Sequence, residues 1–275
     1  MRYVKQTLYY MFKHLPRLIL PVAPAAVLLG LFYRQSRTLI FIRDYGQASS
    51  TMIADVFGML FSSNILYYLL LLPAFFIVLS FSCSYLLTMV YKHFRTGKLS
   101  VRMPLSNVNH GLEAIMPNIA LIFLMLLVYK ALFGCVVSLL SEIFVGGGEP
   151  AIALVAVVAV LGVITYAFVI FFMMYPVISV ALILVYGYTF IDAIGESLRV
   201  GGKKDFLPLV LAYCLPFLIN AVVSYVLMML DAPVAVSVIV DIILQLFVIT
   251  YTVLFSVISV FSQQKLERID LKKLY

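Results

Sequence analysis

Residues 175–208 read YPVISVALILVYGYTFIDAIGESLRVGGKKDFLP. An apolar run passes without a clean break into a short amphipathic segment. A basic Gly-Gly-Lys-Lys-Asp turn follows, and a second apolar run opens at Phe206. This is the pattern of a helix leaving a bilayer, a helix lying at its surface, and re-entry.

The composition makes the same demand of the whole chain. Apolar residues are 64% of the 275 and charged residues 11%, against roughly 45–50% and 25% in soluble domains. A core of this size cannot hide that excess from water, so the bilayer must be the solvent. The mean hydropathy of +1.12 agrees. The net charge of +7 sits beside hydrophobic runs, where Lys and Arg mark cytoplasmic loops, and it points to anionic lipid rather than nucleic acid.

Six runs are long enough to span: about 18–33, 65–91, 119–140, 151–175, 206–230 and 234–261. They form a single integral membrane domain over residues 1–275. A crossing needs roughly 20 residues. The first run is short and borrows from Pro16 or Arg34. The fourth overruns to Tyr188, so Pro176 is the expected kink, with Ile178–Tyr188 protruding or lying in the interface. Met1–Arg17 followed by Leu18–Tyr33 mimics a secretory leader, but Arg34-Gln-Ser-Arg37 stands where a small-residue cleavage site would be. The run is read as a retained span.

Fifteen Lys and Arg fall in residues 1–17, 92–118, 188–205 and 263–275, and three in the opposite loops. That places both termini in the cytoplasm of a multi-pass cell-membrane protein. Residues 34–64 carry a helical stripe of Met52, Ile53, Val56, Phe57, Leu60 and Phe61, which predicts an outer-surface amphipathic helix. Residues 141–150 hold Gly146-Gly147-Gly148 and read as a flexible turn; Asp231-Ala232-Pro233 reads as a tight turn between antiparallel spans.

Three times a short amphipathic segment leads into a pair of spans, around Tyr3–His14, Ser106–Met116 and Thr189–Arg199. Each meets a proline near re-entry: Pro16, Pro117 and Pro208. The fold expected is therefore all-α, a polytopic bundle of six spans with cytoplasmic amphipathic interfacial helices. It is built as three helix-plus-hairpin repeats about an axis along the membrane normal.

Ionisable residues inside spans are expensive and are the default candidates for chemistry. Two stand out, Lys130 and Asp241. Counting about 1.5 Å per residue from the span ends puts them at one depth. Gln245 lies one turn from Asp241, and Asn220 is at a similar level. A Lys130–Asp241 contact with Asn220 and Gln245 nearby is expected in the outer half of the bundle. A buried pair fixing helix register fits better than an ion or proton site, because no acidic relay stands behind it. At the surface, Asp192, Glu196 and Arg199 share one helical neighbourhood, with Lys203 and Lys204 suited to anionic lipid or a protein partner.

Other chemistries lack their residues. Gly97-Lys98-Leu99-Ser100 has no upstream glycine of a phosphate-binding loop. Neither G-x-S-x-G nor H-E-x-x-H occurs. Cys83, Cys135 and Cys214 lie inside apolar runs without ligand spacing and read as packing residues. His14, His93 and His110 are scattered through polar segments and read as solvated or interfacial. No cofactor, metal or catalytic residue is expected.

Pro176, Val177, Ile178, Asp192-Ala193, Ser197, Arg199 and Lys203-Lys204 together resemble a loose group of bacterial six-helix membrane proteins. These are the YciC-like and DUF975-like families and the membrane domain that precedes some glycerophosphodiester phosphodiesterases. The resemblance implies a six-helix bundle in a bacterial inner membrane. The phosphodiesterase catalytic domain has no counterpart here, so no hydrolase activity is implied. The departures are the longer loop at 34–64 and the intramembrane Lys130. The expected function is that of a non-enzymatic scaffold or accessory subunit, touching lipid or a protein partner, or another copy of itself. A transporter or permease-like subunit with a polar site in the outer half of the bundle is the alternative.

Overall fold

The computed structural model describes residues 2–32, 65–97, 99, 105–145, 152–200, 206–230 and 232–263. Among them every regular element is a helix: α1 Arg2–Phe32, α2 Ile65–Thr96, α3 Leu105–Val145, α4 Ile152–Tyr186, α5 Phe190–Val200, α6 Phe206–Met229 and α7 Val234–Gln263. All but α5 are long and apolar enough to cross a membrane. The expected surface helix in 34–64, the Gly146-Gly147-Gly148 turn, Asp231, Lys203 and Lys204 lie outside the described residues.

Burial sorts the six long helices into two kinds. The apolar windows of α2, α4 and α7 are each 56% buried, whereas those of α1, α3 and α6 are 22% to 28% buried. Three inner helices are thus ringed by three outer ones. Each outer helix packs against the inner helix that follows it in the chain and against the inner helix of the preceding pair. So α1 lies between α2 and α7, α3 between α4 and α2, and α6 between α7 and α4. The cycle closes on itself, which is the three-unit arrangement expected from the repeated segments.

Direction follows from side-chain pairs. Phe76 meets Phe123 while Ser84 meets Val108, and Tyr129 meets Tyr166 while Asn118 meets Ser179, so outer α3 runs antiparallel to both inner neighbours. The start of α1 meets the end of α2 at Tyr10 and His93 in the same sense. Tyr91 and Phe94 of α2 both meet Phe261 of α7, so inner helices run parallel. All three inner helices end where the bases cluster, the basic end of the bundle. Gly97 (φ 74°) and Gly187 (φ 68°) close α2 and α4 in the left-handed conformation. Their N–H groups reach the carbonyls of His93 and Ile183 at 2.9 and 2.8 Å, a helix-ending geometry that glycine adopts without strain.

Hydroxyls and amides pin the interfaces. Ser84 Oγ donates to the Val108 carbonyl at 2.7 Å between α2 and α3. The Ser179 hydroxyl donates to Asn118 Oδ1 at 2.6 Å between α3 and α4. Pro216 has no N–H, so the Ala212 carbonyl loses its partner one turn on. The Tyr251 hydroxyl of α7 donates to that carbonyl at 2.8 Å. Close backbone approach is set at Gly30, where a Cβ would come within 2.8 Å of the Ile242 backbone on α7.

Two expectations about the helices change. The segments Tyr3–His14 and Ser106–Met116 are not separate surface helices. Each continues through its proline into the span that follows, giving α1 of 31 residues and α3 of 41. Likewise α4 runs unbroken through Pro176, and Val177–Leu182 beyond it are buried. At ~1.5 Å per residue these helices outrun a ~30 Å core and form a packed storey at the basic end.

Candidate functional site

The inner face of the α6–α7 hairpin holds the densest set of buried polar groups predicted from sequence. Asp241 is 6% exposed, Gln245 5% and Asn220 1%. The pair Tyr213–Phe255 and the Tyr251–Ala212 bond set the hairpin register. Counting from it, Asn220 comes level with Gln245, and Ser224 with Asp241. Ser224 Oγ lies 3.5 Å from Asn220 Oδ1. Helix α1 crosses α7 at Ile242, one residue on from Asp241.

Lys130 is half-buried on α3, beside Tyr129, which packs on Tyr166 of α4 and directs its hydroxyl at the Gly162 carbonyl. Helix α3 packs chiefly on α2 and α4, and α7 chiefly on α1, α2, α4 and α6. A Lys130–Asp241 contact would therefore join two helices that share no principal interface. Lys130, Asn220 and Asp241 each have a partner. That is what burial demands, because a charge left alone at bilayer depth costs several kcal/mol.

The surface set lies on α5. Thr189 caps it: its hydroxyl meets Asp192 Oδ2 at 2.5 Å and accepts from the Asp192 N–H at 3.3 Å. This reciprocal arrangement fixes where the helix starts. Arg199 pairs with Glu196 at 3.0 Å, in the open. Ala193 and Ser197 are buried against α4. Ile191 is 80% exposed and Leu198 52%. The helix thus has three faces: one packed, one charged with Asp192, Glu196 and Arg199, and one apolar and uncovered.

Sequence reading missed a second cluster. His93 is buried (4% exposed), not solvated. The Tyr10 hydroxyl sits 2.5 Å from its Nδ1, and the His14 ring lies edge-on at 5.0 Å between centroids. Phe94 packs on Tyr10 and Phe261. Rings from α1, α2 and α7 thereby fill the basic end of one inter-unit seam. The spacing between residue 14 and residue 93 gave no hint of this; only the wrap of α1 along α2 brings them together. Among the cysteines, Cys83 is buried, but Cys135 is exposed on an outer helix, where it faces surroundings rather than a core.

Fold and site define a multi-pass membrane protein built as a closed ring of three helix pairs. No family model matches the chain, and no curated protein or solved structure matches it.

Proposed function

We propose that this is a non-enzymatic integral membrane protein of a bacterial cytoplasmic membrane. In this reading it is a scaffold or accessory subunit whose basic end contacts anionic headgroups or a protein partner. The likeness of residues 175–208 to the YciC-like and DUF975-like families belongs to the same proposal. So does a cytoplasmic placement of both termini, which the fifteen-to-three distribution of bases supports.

The observation that carries the reading is the third face of α5. Ile191 and Leu198 stand exposed one helical stripe away from Arg199, on a helix tethered to α4 by Ala193 and Ser197. An apolar stripe beside a charged one, held at the end of a bundle, is suited to the headgroup boundary. The chain has no Trp, so Ile191→Trp gives a single reporter. Its emission should be blue-shifted and quenched more by brominated phosphatidylglycerol than by brominated phosphatidylcholine. Lys203→Gln with Lys204→Gln should narrow that gap. Solvent-like emission that neither lipid quenches would sink the reading.

The buried set Asp241, Gln245, Asn220 and Ser224 favours a second reading, a transporter or permease-like subunit. Single Lys130→Cys, Asn220→Cys, Asp241→Cys and Gln245→Cys variants in a background lacking Cys83, Cys135 and Cys214 test it with a membrane-impermeant thiol reagent. Labelling at several of these sites supports a water-filled path. Silence from both sides removes the transport reading.

A further inference from the structure

We propose that the pocket at the basic end between α2, α3 and α4 seats a phospholipid headgroup bearing both a phosphate and a primary amine. The proposal rests on the reading that this end meets the membrane surface. The pocket is a half-open cleft of about 440 Å³.

Its existence follows from the ring. Of the three inner helices, α7 packs on both α2 and α4, whereas α2 and α4 share no principal interface. The seam between them is bridged by α3. Aligning the units on their closing glycines, Gly97 and Gly187, makes Ile183 and Leu184 the counterparts of His93 and Phe94. Aligning the outer helices on Pro16 and Pro117 makes Gly111 and Ile115 the counterparts of Tyr10 and His14. Where four rings pack between α1 and α2 in the first unit, the second unit has a glycine and aliphatic groups. Gly111 closes directly against Ser84 and Thr88, and the pocket lies beside that contact, where Ile183 and Leu184 stand in place of His93 and Phe94.

The walls are chemically sorted. Ile183 and Leu184 of α4 give an apolar wall, continuous with helices that enter the membrane. Lys92 of α2 is half-buried and reaches the pocket, with no side-chain partner among the described residues. Glu113 of α3 stands on the facing helix, open to solvent, with His110 Nδ1 3.7 Å from its carboxylate. Tyr91 and Tyr188 add aromatic flanks; the turn at Gly187 is what returns Tyr188 to the pocket.

A cation and an anion on opposing helices select among headgroups. The phosphate, common to all phospholipids, would take the Lys92 ammonium as a charge-assisted donor. A second negative group would face Glu113. A quaternary amine has no N–H to give it, whereas a primary ammonium can donate to the carboxylate. The same chemistry exists free in water as a glycerophosphoethanolamine, and the apolar wall argues for the acylated form.

The test uses the full chain in detergent, by native mass spectrometry. Phosphatidylethanolamine, phosphatidylglycerol and phosphatidylcholine with identical short chains are titrated, alongside chainless glycerophosphoethanolamine. The expected result is retention of phosphatidylethanolamine over the other two. Glu113→Gln should erase that preference alone, and Lys92→Gln should weaken all three roughly tenfold. Leu184→Phe, which restores the ring present in the first unit, should abolish retention. Equal retention of the three lipids by the wild type, a Glu113→Gln variant that keeps the wild-type order, or a Lys92→Gln variant that binds as tightly as the wild type would overturn the proposal. Binding of the chainless compound as tight as that of the lipid would overturn a lipid as its source. Quenching at Ile191→Trp does not involve this pocket, so a failure here and a failure of the surface reading are separately visible.

Discussion

The Tyr251→Phe substitution isolates one hydrogen bond whose need can be traced to a single proline. Ala212 and Tyr251 are both 0% exposed. The Ala212 carbonyl would ordinarily accept from the N–H four residues on, but that residue is Pro216, and the Tyr251 hydroxyl at 2.8 Å takes its place. Removing the hydroxyl leaves a buried acceptor empty, at a cost of about 1–3 kcal/mol in general. Interhelical bonds in membrane proteins average ~0.6 and reach ~1.7 kcal/mol. A carbonyl with no helical donor belongs at the upper end, so ~1.5 kcal/mol is expected. In a Pro216→Ala background the backbone N–H returns, and Tyr251→Phe should then cost only ~0.5 kcal/mol. The coupling of ~1 kcal/mol is read from four proteins titrated with sodium dodecyl sulfate in mixed micelles, following helicity. Its sign does not depend on whether Pro216→Ala alone stabilises or weakens the bundle. Equal costs in both backgrounds, within ~0.5 kcal/mol, would refute the substitution of hydroxyl for amide.

Gly30→Ala places a methyl 2.8 Å from the Ile242 backbone and should destabilise by about 1–3 kcal/mol in the same titration. Gly195→Ala, with nothing within 4 Å, should be neutral or stabilise by up to ~1 kcal/mol. Asn118→Ala removes the 2.6 Å bond from Ser179 and should cost ~1 kcal/mol, with Ser179→Ala adding little on top of it. For Lys130 and Asp241, each single swap, Lys130→Asp or Asp241→Lys, should lower folded yield. Recovery in the double swap is expected of a direct pair, and continued loss would show that each residue answers to a different partner.

Six spans, an all-helical fold among the described residues and a threefold pattern were all legible, because bilayer thickness imposes run length and because Pro16 and Pro117 recur beside polar-to-apolar transitions. Which helices lie inside was not. Across the chain apolarity does not sort them: the hydropathy of the outer α3 span, 2.5, exceeds that of the inner α2 span, 1.8, and within each pair inner and outer differ by only 0.1 to 0.2. The usable signal was hydroxyls: Ser80, Ser82, Ser84 and Thr88 on α2, and Thr250, Ser256, Ser259 and Ser262 on α7, are all buried. Small polar residues mark helix–helix faces where lipid offers no hydrophobic gain. Asp241, Asn220 and Gln245 were found because a polar residue in a span is rare. His93 was missed because it stands at a helix end, where a histidine looks ordinary until α1 is laid along it.

The ring has a consequence for biogenesis. The most extensive interface among the described residues joins α1 to α7, about 200 residues later in the chain. During synthesis α1 enters the bilayer with only the smaller part of its seat available, the part that α2 provides. Its other side, including the notch at Gly30 that admits Ile242, waits until α7 has been made. Every form synthesised before α7 therefore exposes an unlatched α1, and the arrival of α7 is what locks that helix in place.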